Sequence, residues 1–420
     1  MDALLEASNI SFPELEAVTT VPVFGKNFEL IAMHGYHPDH RVYFHDQHGL
    51  GGYPCPRLDP AEARSLLLES VCDFPFADDA GRAHAIALMV LPFIRRAIGA
   101  GSTPLHVIES ASPGSGKGRL ADLVSVIATG EPCKPTTMGA SYSENAKKLT
   151  SLLLAGTAAS PIILLDNVPQ DRTLDDATLA AFLTTTRPTD RLLGGNQMAV
   201  LQNQAVWILT ANNLRCSTEL SRRSIWIRID PKTERPWLRK DFVHGDLLSW
   251  AREHRRRLVQ ACMSLVRTWI EEGSPRWHGA PLGSFEYWSS VLGGILDVAG
   301  IPAFLENAIS TCTEADVETE EWRALASLWW ERFGRAPVKA SDLLEPCLNG
   351  ELLAEIVGFG GRRSQVSRLG RALNRNLGRV FGKFQVKLER SAVRSSARYT
   401  LAPIGPGSAT ASKTDSTDTA

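Results

Sequence analysis

The chain has 420 residues, 44% apolar and 22% charged, with a net charge of −1: a soluble globular composition with room for two or three domains. Seven scattered cysteines (Cys55, Cys72, Cys133, Cys216, Cys262, Cys312, Cys347) without a C-x-x-C fit a reducing cytoplasm better than a disulfide framework. The charge is lopsided, since residues 361–400 carry eleven Arg or Lys against Glu389, a balance of +10 that leaves −11 to the other 380.

In chain order, MDALLEAS is acidic without an apolar core and does not read as a secretory leader. Residues 1–75 mix β-like pieces (VPVF, RVYF) with a helical stretch, AEARSLLLESV, and read as a small α+β lead-in. A helix follows in RAHAIALMVLPFIRRAI, whose apolar run at 85–94 contains Pro92 and is too short to cross a bilayer, so no membrane partner is expected. Then come the strand LHVIES, a glycine loop, a helix from about 117, a helix near 144–155, the strand PIILLDN, the helix DDATLAAFLTT and the strand AVWILTANN. Short apolar strands alternating with helices predict an α/β fold, a mostly parallel sheet between helices, over 76–235. Residues 236–312 turn helical, TEADVETEE reads as a linker or helix start, 320–402 predict three helices and a hairpin, and 403–420 are small, polar and expected to be disordered.

The loop, ASPGSGKG at 111–118, departs from the phosphate-binding pattern G-x-x-x-x-G-K-[ST] twice: Ala111 replaces the first glycine and Gly118 the hydroxyl that helps hold Mg²⁺. Its context, between strand and helix, still suits a phosphate. Ser112, Pro113, Gly114, Ser115, Gly116, Lys117, Gly118 and Arg119 are the candidate nucleotide contacts, with ATP and Mg²⁺ as the expected cofactors. The buried strand ending in Asp166 offers a carboxylate for magnesium, but Asn167 stands where many ATPases carry a glutamate. Thr210, Asn212 and Asn213 end the next strand, where an amide can orient water, and Arg222 and Arg223 are candidates to meet a γ-phosphate from a neighbouring subunit. Glu144 is a candidate for the missing carboxylate. A glycine turn without a ligand is the bland alternative for the loop, and a solvated turn for the arginines.

Two regions suggest DNA. In DRLLGGNQMAVLQNQ, Gly194-Gly195-Asn196 makes a good hairpin tip, with Arg191 at its base and Gln197 and Gln202 flanking; an unliganded β-turn is equally consistent. In QVSRLGRALNRNLGRV, Val366, Leu369, Leu373 and Leu377 form a buried stripe, while Arg368, Arg371, Arg375 and Arg379 form a basic one. With the basic strands that follow, including Lys383 and Lys387, this predicts a winged helix on duplex DNA. His34, His37, His40, His45 and His48, with Cys55 beyond, match no standard finger spacing, and no metal is assigned there.

Taken together, SPGSGKG, KKLTSLLLAG, LLDNV, DRLLGG, TANNL, ELSRR and GSFEYWSSVLGGIL resemble the superfamily-3-like AAA+ helicase module of primase–helicase proteins of phages, plasmids and integrated elements, over residues 50–310. The resemblance implies an AAA+ core with a helical lid at 236–312, and a DNA-tracking hairpin at 190–204. It also implies a homo-hexamer or related ring around single-stranded DNA, with GKG and DN as tolerated variants. No primase constellation is visible upstream, so the chain is expected either to lack a primase half or to work beside a separate primase. The expected function is an ATP-driven DNA helicase in mobile-element replication. The rival reading is an ATP-switched initiator or loader that binds DNA without unwinding it, which Gly118 and Asn167 favour.

Overall fold

A computed structural model describes residues 13–47, 49–52, 57–99, 102–139, 141–155, 161–168, 173–191, 197–310, 317–389 and 397–404. The chain divides into two compact units, Met1–Ala315 and Asp316–Ala420.

The first unit opens with short strands β1 (Ala17–Thr19), β2 (Val23–Phe24), β3 (Leu30–Ile31), β4 (Gly35–His37) and β5 (Val42–Phe44), arranged as a β1-β5-β4 sheet and a β2-β3 pair. In this region His34, His37 and His40 hydrogen-bond within the chain, to Asp46 N, Met33 O and Glu29 respectively. Helix α1 (Pro60–Ser70) starts at Asp59, whose carboxylate accepts from the Ala61 and Glu62 amides, with proline in the first turn. Asp78 caps α2 (Asp79–Ile94) in the same way, accepting from Gly81 N at 2.6 Å. Every residue of α2 from Ala83 to Ile94 is buried, so its apolar run is that of a central helix. Among the described residues no helix is long and apolar enough to cross a membrane.

Strands and helices then alternate: β6 (Leu105–Ser110), α3 (Lys117–Thr129), β7 (Pro135–Thr136), α4 (Tyr142–Ala155), β8 (Ile162–Val168), α5 (Ala177–Thr184), β9 (Thr189–Arg191), β10 (Met198–Val200), β11 (Val206–Asn212), α6 (Thr218–Ser221) and β12 (Ser224–Arg228). Five of the strands form one parallel sheet in the order β12-β6-β11-β8-β7, the parallel pairing being what the continuous apolar runs of β6, β8 and β11 predict, while β9 and β10 pair as an antiparallel ribbon. The register of β11 on β8 shifts between Leu209 and Ala211, a bulge at the carboxyl end of both strands. Helices α7 (Leu247–Glu253), α8 (Arg255–Glu271) and α9 (Glu286–Val298) complete the unit, and α8 packs on α1. One continuous apolar cluster runs from Ala17 to Leu305.

Two histidines lie inside that cluster. His84 Nδ1 donates to Trp226 O at 2.9 Å while its Nε2 accepts from Leu305 N at 3.1 Å, and His106 Nδ1 lies 3.2 Å from Trp207 O. Burial pushes His84 down to about 4 and His106 down to about 3, so both are neutral in the folded chain. The unfolded chain binds their protons from about pH 6.5 downward and the folded chain does not. Stability is therefore complete above pH 6.5 and falls as pH drops toward 4, by up to about 1.4 kcal/mol per pH unit per histidine. Denaturant midpoints measured between pH 7 and pH 4 should trace that loss, and His84→Gln should shallow the slope.

The second unit contains α10 (Val317–Phe333), α11 (Ala340–Asn349), α12 (Ala354–Val357) and α13 (Arg362–Arg375), then β13 (Val380–Phe381), β14 (Phe384–Glu389) and β15 (Arg398–Pro403) in an antiparallel sheet of that order. Its own core joins Trp322, Trp329, Leu343, Leu344, Phe381 and Tyr399. Leu369 and Leu373 of α13 enter that core, with Val366 and Leu377 partly buried against it.

Candidate functional site

The glycine loop joins β6 to α3. Gly114 (φ 71°) and Gly116 (φ 96°, the residue before α3) take left-handed conformations that a side chain would strain, which is why glycine recurs here. The resulting turn brings the first amides of α3 to the carboxyl edge of the sheet, where a helix N-terminus favours an anion. Because Lys117 is the first residue of α3, its side chain folds back over the loop. Its Nζ donates to Asn212 Oδ1 at 2.7 Å, and to Ser112 O and Ser115 Oγ at 3.2 Å each. Burial lowers the Lys117 pKa, and the charges of Asp166 and Glu109 act against that fall.

Asn212 reaches the lysine because β11 lies directly between β6 and β8, with Asn212 opposite Ser110. At the bulge, the Thr210 hydroxyl accepts from Asn167 N at 2.9 Å and donates to Asp166 Oδ1 at 2.5 Å. Lys117, Asp166, Thr210 and Asn212 thus converge at the carboxyl ends of three adjacent strands, the place where open parallel sheets take ligands. Asn213 follows with φ 44°.

The other candidates are placed as follows. Ser115 is buried, whereas Pro113, Gly114, Gly118 and Arg119 are exposed. Glu144, in the first turn of α4, is half-exposed and pairs with Lys147 at 3.0 Å. Arg222 and Arg223 both hold Glu219. Burial alone would raise that carboxyl, and the two arginines override it and keep it below the usual range. Their exposures differ: the Arg223 side chain is 12% exposed and that of Arg222 49%, the latter lining a cleft of about 860 Å³ with Trp277 and Phe304. Arg191 pairs with Met198 in the β9–β10 ribbon and Gln197 is exposed, while Asn196 and the rest of the expected tip lie outside the described residues. In the second unit Arg371, Arg375, Arg379, Lys383 and Lys387 are exposed, and Arg368 donates to Phe359 O at 2.8 Å.

Sequence reasoning missed several residues around the loop. Glu109, buried at the end of β6, accepts from Leu214 N at 2.8 Å and Arg228 Nε at 3.1 Å, pinning β6 to the chain on either side. Trp237 crosses the loop: a Cβ on Gly114 would lie 3.1 Å from its Cβ, and Phe74 comes within 3.4 Å of the equivalent point on Gly116. Asp73 holds this segment down, accepting from the amides of Val243 and His244 at 2.9 Å each. The one available signal was a lone tryptophan in the charged stretch PKTERPWLRKDF.

Gly118 raises a direct test. A Cβ there meets nothing within 4 Å, so Gly118→Ser fits without displacing anything. Folding stability should change by no more than about 0.5 kcal/mol. The Mg²⁺ concentration needed for nucleotide binding should fall. An unchanged Mg²⁺ titration would mean that the hydroxyl position lies outside the metal's coordination.

No protein-family model matches the chain, and no curated protein does. Among solved structures it is similar to the C-terminal region of NrS-1 in its A-form apo state, at 12% identity and TM-score 0.43, over 89% of this chain and 85% of that one. It is also similar to the active helicase Cch of SCCmec type IV (12%, TM-score 0.41, 96% and 82%) and to JCV helicase (12%, TM-score 0.28, 57% and 66%). At this identity and these scores the assignments above rest on the chain's own geometry.

Proposed function

We propose that the first unit binds and hydrolyses ATP and that the chain is an ATP-driven DNA helicase. The observation that carries the reading is the convergence of Lys117, Asp166, Thr210 and Asn212 where the glycine loop after β6 meets the ends of β8 and β11. The loop amides and Lys117 would take the β- and γ-phosphates, the lysine exchanging its Ser112 and Ser115 contacts for phosphate oxygens. Trp237, exposed beside that loop, offers an apolar face for the purine.

The donor set suits magnesium, which keeps most of its waters and needs only a carboxylate and phosphate oxygens from a protein site. Asp166 would hold it, and the ion would neutralise charge on the transferring phosphate. Thr210 fixes the Asp166 carboxylate, and Asn212 keeps Lys117 aimed into the loop and orients water beside it. Arg222, the more exposed of its pair, would act on the nucleotide of a neighbouring subunit, which requires a ring; a homo-hexamer is the proposed form. The β9–β10 ribbon would meet single-stranded DNA. The basic face of α13 and β14 would meet duplex DNA as a winged helix, through phosphates and hence with steep salt dependence. The resemblance to primase–helicase modules supports a role in mobile-element replication.

Gly118 and Asn167 favour the rival, an initiator or loader that uses ATP as an assembly switch. ATP turnover with and without single-stranded DNA, followed by strand displacement on a forked duplex, separates the two. DNA-stimulated turnover with displacement supports the motor. ATP-dependent DNA binding without turnover sinks it and leaves the switch.

A further inference from the structure

Phe359 lies in the turn Gly358-Phe359-Gly360-Gly361, just before α13, and its relative exposure is 102%. The next most exposed large apolar side chain among the described residues of this unit, Val380, reaches 50%. A lone exposed apolar residue is ordinary. This one is held out by a braced turn. Gln365 donates to Gly358 O and Arg368 to Phe359 O, each at 2.8 Å, and Gly358 N closes on Ala354 O at 2.7 Å. The backbone is fixed from two successive turns of α13 while the ring touches water on every side.

The surroundings indicate what the ring meets. Arg362 and Arg363 occupy the first turn of α13, where no acid is present and where cations oppose the helix dipole. A phosphate bound there reverses that penalty, and the exposed Arg371 and Arg375 continue the basic face along the helix. An aromatic ring flanked by phosphate-binding cations is the arrangement that holds unpaired bases: the ring stacks on a base and the cations take the neighbouring backbone.

We infer that Phe359 is a base-stacking site for unpaired DNA, seated beside the duplex-binding face of α13, with Arg362 and Arg363 on the adjoining phosphates. The site therefore recognises a junction between single and double strands, and it does so without sequence preference, since every base has a stacking face. The inference rests on the proposed DNA-binding role of this unit, and the experiment separates the two.

The test uses the full chain and a duplex with a short single-stranded extension carrying 2-aminopurine next to the junction. The native chain should quench the probe on binding. Phe359→Ala should abolish the quenching and weaken junction binding on the order of tenfold, leaving blunt-duplex affinity and the thermal midpoint unchanged; Phe359→Trp should restore both lost signals. Paired Arg362→Ala and Arg363→Ala should instead reduce the salt slope by one to two phosphate contacts, roughly one unit each. Native affinity and quenching in Phe359→Ala would overturn the inference. If Arg371→Ala with Arg375→Ala leaves duplex affinity and its salt slope unchanged, the DNA-binding reading of the unit fails, whatever Phe359 does.

Discussion

Lys117→Met should reduce ATP turnover by at least about 10²–10³-fold while leaving the fold intact. The ammonium is the fixed positive charge of the loop, bonded to Asn212, Ser112 and Ser115, and methionine keeps its length without the charge. Burial already works against the charged lysine, so removing the charge removes a desolvation cost together with the three contacts, and the thermal midpoint should move little. The informative comparison is with Asn212→Ala, which leaves the charge but frees its aim. That variant should lose less turnover and retain nucleotide binding. Steady-state phosphate release and binding of a fluorescent ATP analogue measure the two effects separately. Turnover in Lys117→Met equal to native would remove the loop from the chemistry.

Arg222 and Arg223 should separate just as clearly. Arginine delivered to a γ-phosphate is worth about 10³–10⁵ in rate, so Arg222→Ala should abolish turnover with ATP binding preserved. Arg223 is largely buried, and its loss should instead lower folding stability by about 1–3 kcal/mol. Mixing decides whether Arg222 acts across subunits: inactive Lys117→Met and inactive Arg222→Ala chains should recover partial turnover when combined. The Arg222 subunits supply sound loops and the Lys117 subunits supply the arginine. No recovery in a mixed oligomer would place the arginine within its own subunit. Because Glu219 holds Arg222 in the single chain, Glu219→Ala should also shift the protein concentration at which turnover appears.

Much of the first unit was legible because its signals are local. LHVIES, PIILLDN and AVWILTANN are short apolar runs bounded by turn residues, and they became β6, β8 and β11. The loop could be read from its glycines, and the fold class from the alternation of strands with helices. The order of the strands could not, since it depends on pairing between distant segments. For the same reason Asn212 and Lys117 were both picked out without their contact, and Glu109 was passed over because its partners, Leu214 and Arg228, lie more than a hundred residues away. Glu144 could be picked out as an acid near the site in sequence, but not its pairing with Lys147 on the same helix.

Asn167 has φ 53° at the bulge where Thr210 receives its amide and holds Asp166. Asparagine enters the left-handed region readily and glutamate does so at a cost. The absent glutamate is thus a property of main-chain shape before it is one of side-chain chemistry. Asn167→Glu alone would set glutamate in a left-handed conformation, at a cost in stability. Deleting the irregularity would re-aim position 167 but release the Thr210 hydroxyl from Asp166. A chain with Asp-Glu at this strand end would therefore carry either that backbone strain or a reshaped bulge.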